Sequence, residues 1–345
     1  MRILIDITHP AHAHFFRHAL DTWRQRGHDV VVTGRRKDIT YELLDRLGIE
    51  YHDLGAARSG LLGLAVELPA RTARLARQVH KFKPDVMAAI GGTFIAQAGW
   101  ICRVPTVVFY DTENATVSNL LTYPVCTVVS TPRCYEGWVP RRKHDTYAGY
   151  HELAYTHPSR FTPDPEVLGT FDLEPGEPFV FMRLVSWGAS HDVTDHGLTR
   201  LEEAVRQLEP FGRVLISSER ELPSALEGNR LVAAPHQVHH LLYYARLFIG
   251  ESATMASESA TLGTPAVFVS TSVRGYTNEQ ESRYGLTFTF SDPETGQRDG
   301  LAKAVEILND GASKSIWEEK RNRMLADTVD VTDHIVDLVE SFGSN

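Results

Sequence analysis

The sequence has no apolar run of about 20 residues, the length that a helix needs to cross the hydrocarbon core of a bilayer. It also has no signal-peptide pattern, since the strand-like segment Arg2–Ile5 follows the first residue directly. We therefore expect a cytoplasmic protein. Basic residues are scarce as well: 35 Lys and Arg stand against 44 Asp and Glu, for a net charge of −9. This balance argues against nucleic acid as a partner, because nucleic-acid binding normally needs a basic face.

Cysteine is also rare. Cys102, Cys126 and Cys134 are an odd number at wide spacing, which fits neither a disulfide framework nor a zinc motif. We expect small buried residues or inert thiols at these positions. The remaining composition is that of a globular protein, with 42% hydrophobic and 23% charged residues. At 345 residues the chain is too long for one ordinary core and suits two α/β domains.

Short apolar segments alternate with amphipathic segments through the first half of the chain. The predicted strands are Ile3–Ile5, Val30–Thr33, Val86–Ile90, Thr106–Phe109 and Thr127–Ser130. The predicted helices between them are Phe15–Arg26, Tyr41–Leu47, Leu64–Phe82 and Phe94–Ile101. Such repetition of strand and helix predicts a parallel sheet with crossover helices.

A proline-rich stretch at 157–178 separates this half from a second strand and helix series and is interpreted as a linker. The predicted fold class is α/β, with two Rossmann-like, doubly wound parallel-sheet domains facing across a cleft. We place the first domain at 1–156 and the second at 157–328, and expect a helix in 329–345 to return to the first domain. In such sheets ligands bind at the carboxyl ends of the strands, so polar residues that follow strands are the site candidates.

The segment Phe248–Pro265 shows this arrangement, with a strand, then small residues, then a helix. Small residues at a helix start let backbone N–H groups approach an anion, and the helix dipole adds attraction. Glu258 falls about one turn into the helix, where a carboxylate can bond paired ribose hydroxyls. The alternative is ordinary packing, in which small residues allow close contact between helix and sheet.

A second candidate segment, Asp6–Phe16, also follows a strand and is rich in histidine. Four histidines lie within ten residues of one another: His9, His12, His14 and His18. Asp6 is the only acidic residue nearby and no cysteine shares the spacing, which disfavours a metal site. We predict His12 as a general base or phosphate contact, because it lies nearest the predicted helix start without being inside the helix. Surface histidines without a role are the alternative.

The segment Tyr110–Asn114 follows the predicted strand Thr106–Phe109 directly. Carboxylates at a strand's carboxyl end are expected to face the predicted cleft. Asp111 or Glu113 is therefore a candidate base or sugar contact. Capping of a helix by Asp111 is the alternative.

Polar residues also follow the strands of the second half. Arg183 is predicted to hold a diphosphate, and Trp187 to stack on a base or sugar ring. The pair Glu279-Gln280 is predicted to open a helix and reach sugar hydroxyls. The other polar candidates are Ser186, Ser190, His191, Ser218, Arg220 and His236. Polar interdomain loops, exposed helix starts and helix capping are the alternatives.

Two basic clusters stand out against the acidic total. Arg141–Lys143 lies beside Trp138, and Arg71, Arg74 and Arg77 recur at helical spacing. Solvated surface positions explain both clusters. The functional alternative is peripheral contact with an anionic inner-membrane face or with a lipid-phosphate acceptor.

The stretch Gly250–Pro265 is similar to the donor-site helix of the lipid II-forming N-acetylglucosaminyltransferase and of the non-hydrolysing UDP-N-acetylglucosamine 2-epimerases. The chain thus resembles the GT-B superfamily, which implies that the small residues bind diphosphate, that Glu258 binds ribose and that no metal or other cofactor is needed. Those families usually have glycine where this chain has Ser252 and Ala253. Motifs and resemblance together assign the nucleotide sugar to Arg183, Ser186, Trp187, Ser218, Arg220, His236, Gly250, Ser252, Ala253, Thr254, Met255 and Glu258.

A closer resemblance, over nearly the whole length, is to an uncharacterised family of archaeal and bacterial GT-B-like proteins. The matching stretches are D-I-T-H-P-A-H-A-H-F-F at 6–16, Y-D-T-E at 110–113, R-L-V-S-W-G-A-S-H at 183–191, and 250–265. The arginine and glutamate that the epimerases carry after the first strand are absent, and His9-Pro10-Ala11-His12 stands in their place. This departure favours glycosyl transfer over epimerisation.

The expected function is that of a glycosyltransferase that moves a sugar from a UDP-linked or other NDP-sugar to an unidentified sugar, lipid-linked or small-molecule acceptor. The catalytic candidates are His12, Asp111 and Glu113. Contacts to the sugar or acceptor are expected from His9, His14, His191, Glu279 and Gln280. The alternatives are a nucleotide-sugar 2-epimerase and a binding protein without catalysis.

Overall fold

Two parallel β-sheets organise the chain, each within its own unit. The structure is a computed structural model and describes residues 1–57, 60–113, 115–186, 197–310 and 314–343. The first unit consists of Met1–Tyr155 together with Val329–Asn345, and the second of Thr156–Thr328. Among the described helices, none is both long and apolar enough to cross a bilayer.

The first unit is built on a sheet of seven strands in the order β3-β2-β1-β4-β5-β6-β7. Each neighbouring pair is parallel. The central strands are buried on both faces and accordingly consist of nearly continuous apolar residues. The strands are β1 (Arg2–Ile7), β2 (Asp29–Arg36), β3 (His52–Ala56), β4 (Val86–Ile90), β5 (Thr106–Phe109), β6 (Val128–Pro132) and β7 (His144–Tyr147).

Crossover helices connect these strands and bury an apolar stripe against the sheet. In α1 the buried side chains include Phe15, Phe16 and Trp23, which lie on one face of the helix. The crossover helices are α1 (Pro10–Gln25), α2 (Thr40–Arg46), α3 (Gly60–Phe82), α4 (Thr93–Cys102) and α5 (Thr116–Thr122). The short α6 (Leu153–Thr156) follows β7, at the boundary with the second unit.

The second unit has a five-stranded parallel sheet in the order β12-β11-β10-β8-β9. Its strands are β8 (Phe179–Leu184), β9 (Arg213–Ser218), β10 (Leu247–Gly250), β11 (Ala266–Val269) and β12 (Thr287–Phe290). Its helices are α7 (Glu166–Gly169), α8 (Leu201–Leu208), α9 (Val238–Tyr244), α10 (Ala253–Leu262), α11 (Gly275–Glu279), α12 (Gly296–Asn309) and α13 (Lys314–Ala326). Short 3₁₀ turns occupy Glu209–Phe211, Ser224–Asn229 and Pro235–Gln237.

The last helix, α14 (Val331–Glu340), belongs to the first unit, where it packs against α1. Its Thr332 hydroxyl donates to the Ala154 carbonyl at 2.7 Å. The His334 ring lies 3.1 Å from the Asp145 carboxylate and 3.0 Å from the Ser130 hydroxyl. These contacts tie the end of the chain to β6 and β7. A 3₁₀ turn, Ser341–Gly343, follows.

A buried ion pair joins α3 to the carboxyl ends of β1 and β2. Arg71 donates to the Asp6 carboxylate at 2.6 Å and to the Gly34 carbonyl at 3.1 Å. Thr33 donates its hydroxyl to the same Asp6 oxygen at 2.7 Å. Both charged side chains are only 1% exposed. Arg71 therefore does not belong to a solvated helix face, and the sequence interpretation of this arginine is wrong.

The sequence prediction also misses two edge strands and the helix α5, and it starts two helices too late, one of which is α3 at Gly60 instead of Leu64. β3 reads H-D-L-G-A and β7 reads H-D-T-Y, and both are polar because edge strands are partly solvated. The first helix begins at Pro10 instead of Phe15, since proline at the first helical position is compatible with its fixed φ and missing N–H. This earlier start places His12 inside α1, which corrects the expected position of that histidine.

We expect Arg71→Ala to lower the free energy of unfolding of the first unit by about 3–5 kcal/mol, because the Asp6 carboxylate would stay buried without its cation. Arg77→Ala on the same helix is the control, since Arg77 is exposed and its replacement should change stability by about 0.5 kcal/mol or less. Urea titration of both variants measures the difference. Equal losses would contradict a special role for the buried pair.

Candidate functional site

In the first unit, the start of α1 places two histidines, His9 and His12, at the carboxyl edge of the sheet. His9 is the N-cap of α1, and its Nδ1 accepts a hydrogen bond from the Ala11 amide at 3.2 Å. The rings of His9 and His12 lie 5.8 Å apart. His14 points inward and packs 5.3 Å from the ring of Tyr155. The helix thus separates its histidines, with His9 and His12 at the strand end and His14 in the core.

The contacts of His12 define which of its nitrogens carries a proton. Its Nδ1 faces the Thr8 amide at 3.4 Å, and an amide can only donate, so Nδ1 accepts. The pKa of His12 is held well below its ordinary range, first by burial and then by the charge of His9. A neutral ring that accepts at Nδ1 carries its proton on Nε2. His12 is therefore arranged as a hydrogen-bond donor.

Asp111 lies just beyond the carboxyl end of β5. It does not cap a helix, because α5 begins at Thr116 with Ala115 as its N-cap. Its Oδ2 lies 3.0 Å from Nδ1 of His151, and its Oδ1 accepts from the Thr112 hydroxyl at 2.9 Å. Burial alone would raise the pKa of Asp111, but the charge and hydrogen bond of His151 and the Thr112 bond outweigh it and lower the pKa to about 2.

His151 is the functional candidate that the sequence analysis missed. It lies in the turn that follows β7 and is 5% exposed. Its ring packs 4.5 Å from Phe15 of α1. Among the described residues, no hydrogen-bond partner reaches its buried Nε2. A polar segment, Tyr150-His151-Glu152, follows the strand β7 and could have marked His151 as a site candidate. It was missed because β7 is too polar to be recognised as a strand from its sequence.

Glu113 lies in the turn before α5, at intermediate exposure. Its charge acts on Tyr135, where burial is the main cause that raises the pKa of the phenol and the carboxylates of Glu113 and Asp111 contribute. Glu113 therefore belongs to the same electrostatic environment as Asp111. Asn114 lies outside the described residues.

In the second unit, α10 begins directly after β10, as the sequence predicts. Ser252 is its N-cap, and the hydroxyl accepts from the Met255 amide at 3.3 Å. Ala253 and Thr254 form the first turn. Packing requires glycine at position 250, because a Cβ there would lie 2.5 Å from the Arg183 carbonyl oxygen on the neighbouring strand β8. Glycine at 250 thus permits the close pairing of β10 with β8.

Arg183 lies in β8, opposite Gly250 in the strand pairing. It donates to the Ser217 hydroxyl at 2.8 Å and forms a short ion pair with Glu219. Glu219 also accepts from the Ser186 amide at 3.1 Å. The guanidinium is therefore held at the carboxyl edge by a carboxylate that is 45% exposed.

A buried carboxylate that the sequence analysis did not single out, Glu251, organises the same edge. It accepts from the amides of Val185 at 2.8 Å and Leu198 at 2.6 Å. Arg220 donates to it at 2.9 Å, while Ser218 closes a local turn by accepting from the Arg220 amide at 3.1 Å. Burial raises the pKa of Glu251 against the lowering effect of these bonds.

The segment between Val185 and Leu198 carries further candidates. Trp187, Ser190 and His191 lie outside the described residues, which end at Ser186 and resume at Gly197.

Glu258 occupies the inner side of α10 and is buried. Its Oε1 lies 3.0 Å from Nε2 of His239, a buried residue of α9. His239 is therefore a buried partner of the carboxylate that is expected to bind ribose. His236 lies in the turn Pro235–Gln237 and is exposed.

Glu279 and Gln280 do not open an α-helix. Glu279 ends α11, and Gln280 begins a π-helical turn, Gln280–Tyr284. Gln280 is fully buried, donates to the Ser257 hydroxyl at 2.7 Å and accepts from the Thr287 hydroxyl at 3.1 Å. Both ends of its amide thus have partners within the fold.

In the basic cluster Arg141–Lys143, the lysine is hydrogen-bonded and the two arginines are exposed. Lys143 donates to three backbone carbonyls, those of Tyr123, Pro124 and Cys126, at 2.7 to 2.9 Å. Arg141 and Arg142 are exposed.

Within the described ranges, no group of three or more His, Cys, Asp or Glu side chains is placed to hold a metal ion.

Comparison with known structures identifies the fold class. The UDP-GlcNAc 2-epimerase from Neisseria meningitidis, solved with UDP-GlcNAc, superposes with a TM-score of 0.67 at 11% identity, over 99% of this chain and 100% of that chain. The spinosyn rhamnosyltransferase SpnG superposes with a TM-score of 0.64 at 13% identity, over 100% of both chains. The two parallel α/β domains have the GT-B fold, which confirms the predicted fold class.

The family is defined by sequence. Residues 1–341 match the model described as "Protein of unknown function (DUF354)", and the chain belongs to this family. A relative, the uncharacterized protein MJ0665 of Methanocaldococcus jannaschii, is 23% identical over 279 residues, which cover 77% of this chain and 80% of the relative. The resemblance to an uncharacterised GT-B-like family is thereby confirmed.

We expect Asp111→Asn to remove an acid-sensitive part of the stability of the first unit. The pKa of Asp111 is lowered from 3.8 to about 2 in the fold, so the ionised carboxylate stabilises the fold above about pH 4, and this stabilisation is lost as the pH falls to 2. The contribution is about 2 kcal/mol at 1.36 kcal/mol per pKa unit.

Urea titrations at pH 7 and near the pKa of Asp111 measure this difference between wild type and variant. Asp21→Asn is the control, because Asp21 is 64% exposed and its nearest cation, on Arg24, lies 3.9 Å away. A stability gap between wild type and Asp111→Asn that does not narrow in acid would contradict the lowered pKa.

Proposed function

We propose that the chain is an enzyme that binds a nucleotide sugar, UDP-linked, and transfers its glycosyl group to an acceptor hydroxyl. The observation that carries the proposal is the carboxyl edge of the second sheet. There the N-terminus of α10 follows β10, and Arg183 stands on the neighbouring strand opposite Gly250. A helix N-terminus and a guanidinium are the groups that stabilise a diphosphate, both when bound and as a leaving group.

In this proposal the second unit binds the donor. The first turn of α10, from Ser252 to Met255, faces the diphosphate, and Glu258 bonds the ribose. Arg183 exchanges its present partner Glu219 for the diphosphate, which is feasible because Glu219 is 45% exposed. Ser186 follows β8, Ser218 ends β9, and Arg220 lies just beyond it in the same unit. His236 lies in the turn Pro235–Gln237, and Trp187 is proposed as the stacking residue. This assignment is supported by the fold shared with solved nucleotide-sugar enzymes.

The first unit is proposed to bind the acceptor. Its supporting feature is the group of His9, His12, Asp111 and Glu113 at the carboxyl edge of the first sheet. A hydroxyl bound there would meet hydrogen-bond donors and a proton acceptor within one electrostatic environment. The acceptor is proposed to be a sugar, a lipid-linked molecule or a small molecule, and exposed Arg141 and Arg142 beside Trp138 would suit an anionic membrane surface.

A nucleotide-sugar 2-epimerase is the second candidate function. The observation in its favour is the superposition of the whole chain on a UDP-GlcNAc 2-epimerase. Against it stands the segment after β1, where His9 at the N-cap of α1 and His12 in its first turn replace the arginine and glutamate of the epimerases. A protein that binds nucleotide sugars without turnover is the outcome if neither reaction occurs.

We expect UDP to bind, and Arg183→Ala to weaken its binding about tenfold or more, because a charge-assisted hydrogen bond contributes about 1.5–3 kcal/mol. Glu258→Gln should weaken binding as well, through the lost ribose contact. Titration calorimetry measures both effects. Arg200→Ala is the matched control, since Arg200 is 78% exposed and should leave affinity unchanged. Equal affinity for UDP in all three variants would contradict the proposed donor site.

Incubation with UDP-N-acetylglucosamine in deuterated water, without an acceptor, separates the two reactions. We expect slow release of UDP and no C2 epimer, because a transferase without acceptor can use only water. The appearance of the C2 epimer with deuterium at that carbon would instead establish the epimerase. Proton NMR and quantification of UDP follow both outcomes in one sample.

A further inference from the structure

A histidine and a carboxylate from two separate segments form a pair at the carboxyl edge of the first sheet. Nδ1 of His151, after β7, lies 3.0 Å from Oδ2 of Asp111, after β5. The carboxylate can only accept, so Nδ1 carries the proton in this contact. In the neutral ring, Nε2 then has a free lone pair. This is the geometry in which a carboxylate orients a histidine as a proton acceptor.

The ring of His151 is held in place by its surroundings. Phe15 of α1 packs against it at 4.5 Å, and the ring of Tyr147 lies parallel to it, within 8°, at 6.4 Å. Three elements, α1, β7 and the loop after β5, therefore fix one orientation. A base held in a single rotamer can act without reorganisation when the substrate binds.

Two buried polar atoms of this region lack partners among the described residues: Nε2 of His151 and the hydroxyl oxygen of Tyr147. Buried polar atoms in folded proteins are nearly always hydrogen-bonded, because an unsatisfied group costs free energy. These two atoms lie on parallel neighbouring rings, and they leave hydrogen-bonding capacity that the described residues do not fill. A hydroxyl group from outside the protein would use this capacity, as would a bound structural water.

The other two candidate bases are less suited to this role. His12 accepts at Nδ1 and is neutral, so its Nε2 presents a proton and cannot take one. Asp111 has a pKa of about 2, which makes its carboxylate a weak base at neutral pH. His12 and His151 thus have opposite proton arrangements. One ring donates a hydrogen bond and the other accepts.

We propose that His151 is the catalytic base, that Asp111 is its positioning residue, and that His12 donates a hydrogen bond to the acceptor. The inference rests on the proposed glycosyl transfer. As the acceptor oxygen bonds to the anomeric carbon of the sugar, its proton moves to Nε2 of His151. The bond from that carbon to the diphosphate oxygen breaks, and the electron pair leaves with the diphosphate. With water as acceptor, the same step releases UDP and free sugar.

The kinetic test uses UDP-N-acetylglucosamine with water as acceptor and measures UDP release. We expect His151→Gln to lower the rate roughly 10²- to 10⁴-fold, the usual contribution of a general base, with UDP affinity unchanged by calorimetry. His151→Gly should regain activity when imidazole is added, which a purely structural role would not allow. His52→Gln is the control, because His52 is an exposed residue of the edge strand β3.

The role of Asp111 is tested by a double-mutant comparison. Asp111→Asn should slow UDP release in the wild-type background and have little further effect in His151→Gln, because it acts only through the histidine. Nitrogen-15 NMR of the histidine rings gives a readout independent of activity. We expect a proton on Nδ1 of His151 in wild type and a shift toward the other tautomer in Asp111→Asn.

The outcomes distinguish this inference from the proposed function. If His151→Gln binds UDP and releases UDP from UDP-N-acetylglucosamine at the wild-type rate, the inference is overturned and the proposed transferase function stands. Nε2 of His151 then contacts only a structural water. A proton on Nε2 of neutral His151 in wild type overturns it equally. If no UDP binds to the wild-type protein, the proposed function fails and the inference falls with it. Loss of activity with imidazole rescue and unchanged UDP affinity supports both.

Discussion

Parallel pairing of every strand is the constraint on which the candidate sites depend. In a parallel sheet all carboxyl ends lie at one edge, so loops that are distant in sequence become neighbours. In the first sheet this edge receives His9 after β1, Asp111 after β5 and His151 after β7. Helical crossovers are required to return the chain to the amino edge, and they also supply the helix N-termini at which anions bind.

Buried carboxylates and their partners stabilise the carboxyl edge of the sheet in both units. In the first unit the Asp6–Arg71 pair joins β1 to α3 just ahead of the histidine-bearing loop. In the second unit, Glu251 at the end of β10 accepts hydrogen bonds from Arg220 and from two backbone amides. Each carboxylate has several hydrogen-bond donors, which is what allows a charge to remain buried. These interactions are long-range, and they position loops that lack regular structure of their own.

Proton placement distinguishes the histidines better than their spacing does. His9 caps a helix, His12 accepts from a backbone amide, and His151 donates to a carboxylate. The three rings are chemically identical, and their hydrogen-bond partners alone decide which nitrogen can accept a proton. A similar pairing occurs in the second unit, where His239 contacts the buried carboxylate of Glu258.

The sequence by itself determined the fold class and most of the central strands, because buried parallel strands are continuous apolar segments and punctuating residues mark their ends. It correctly placed α10 after β10, and Asp111 after β5. It missed β3 and β7, whose residues are polar because edge strands meet solvent. Without β7, His151 had no strand to mark its position.

Only the tertiary structure decided which side chains meet. The Asp111–His151 contact, the partners of Arg71 and the burial of His239 and Gln280 all depend on which elements lie side by side. Periodicity reports the local exposure of a face, whereas a hydrogen bond between distant residues depends on strand order and packing, which no local pattern contains. The hydrogen-bond partners of each histidine were therefore decided by the assembled fold.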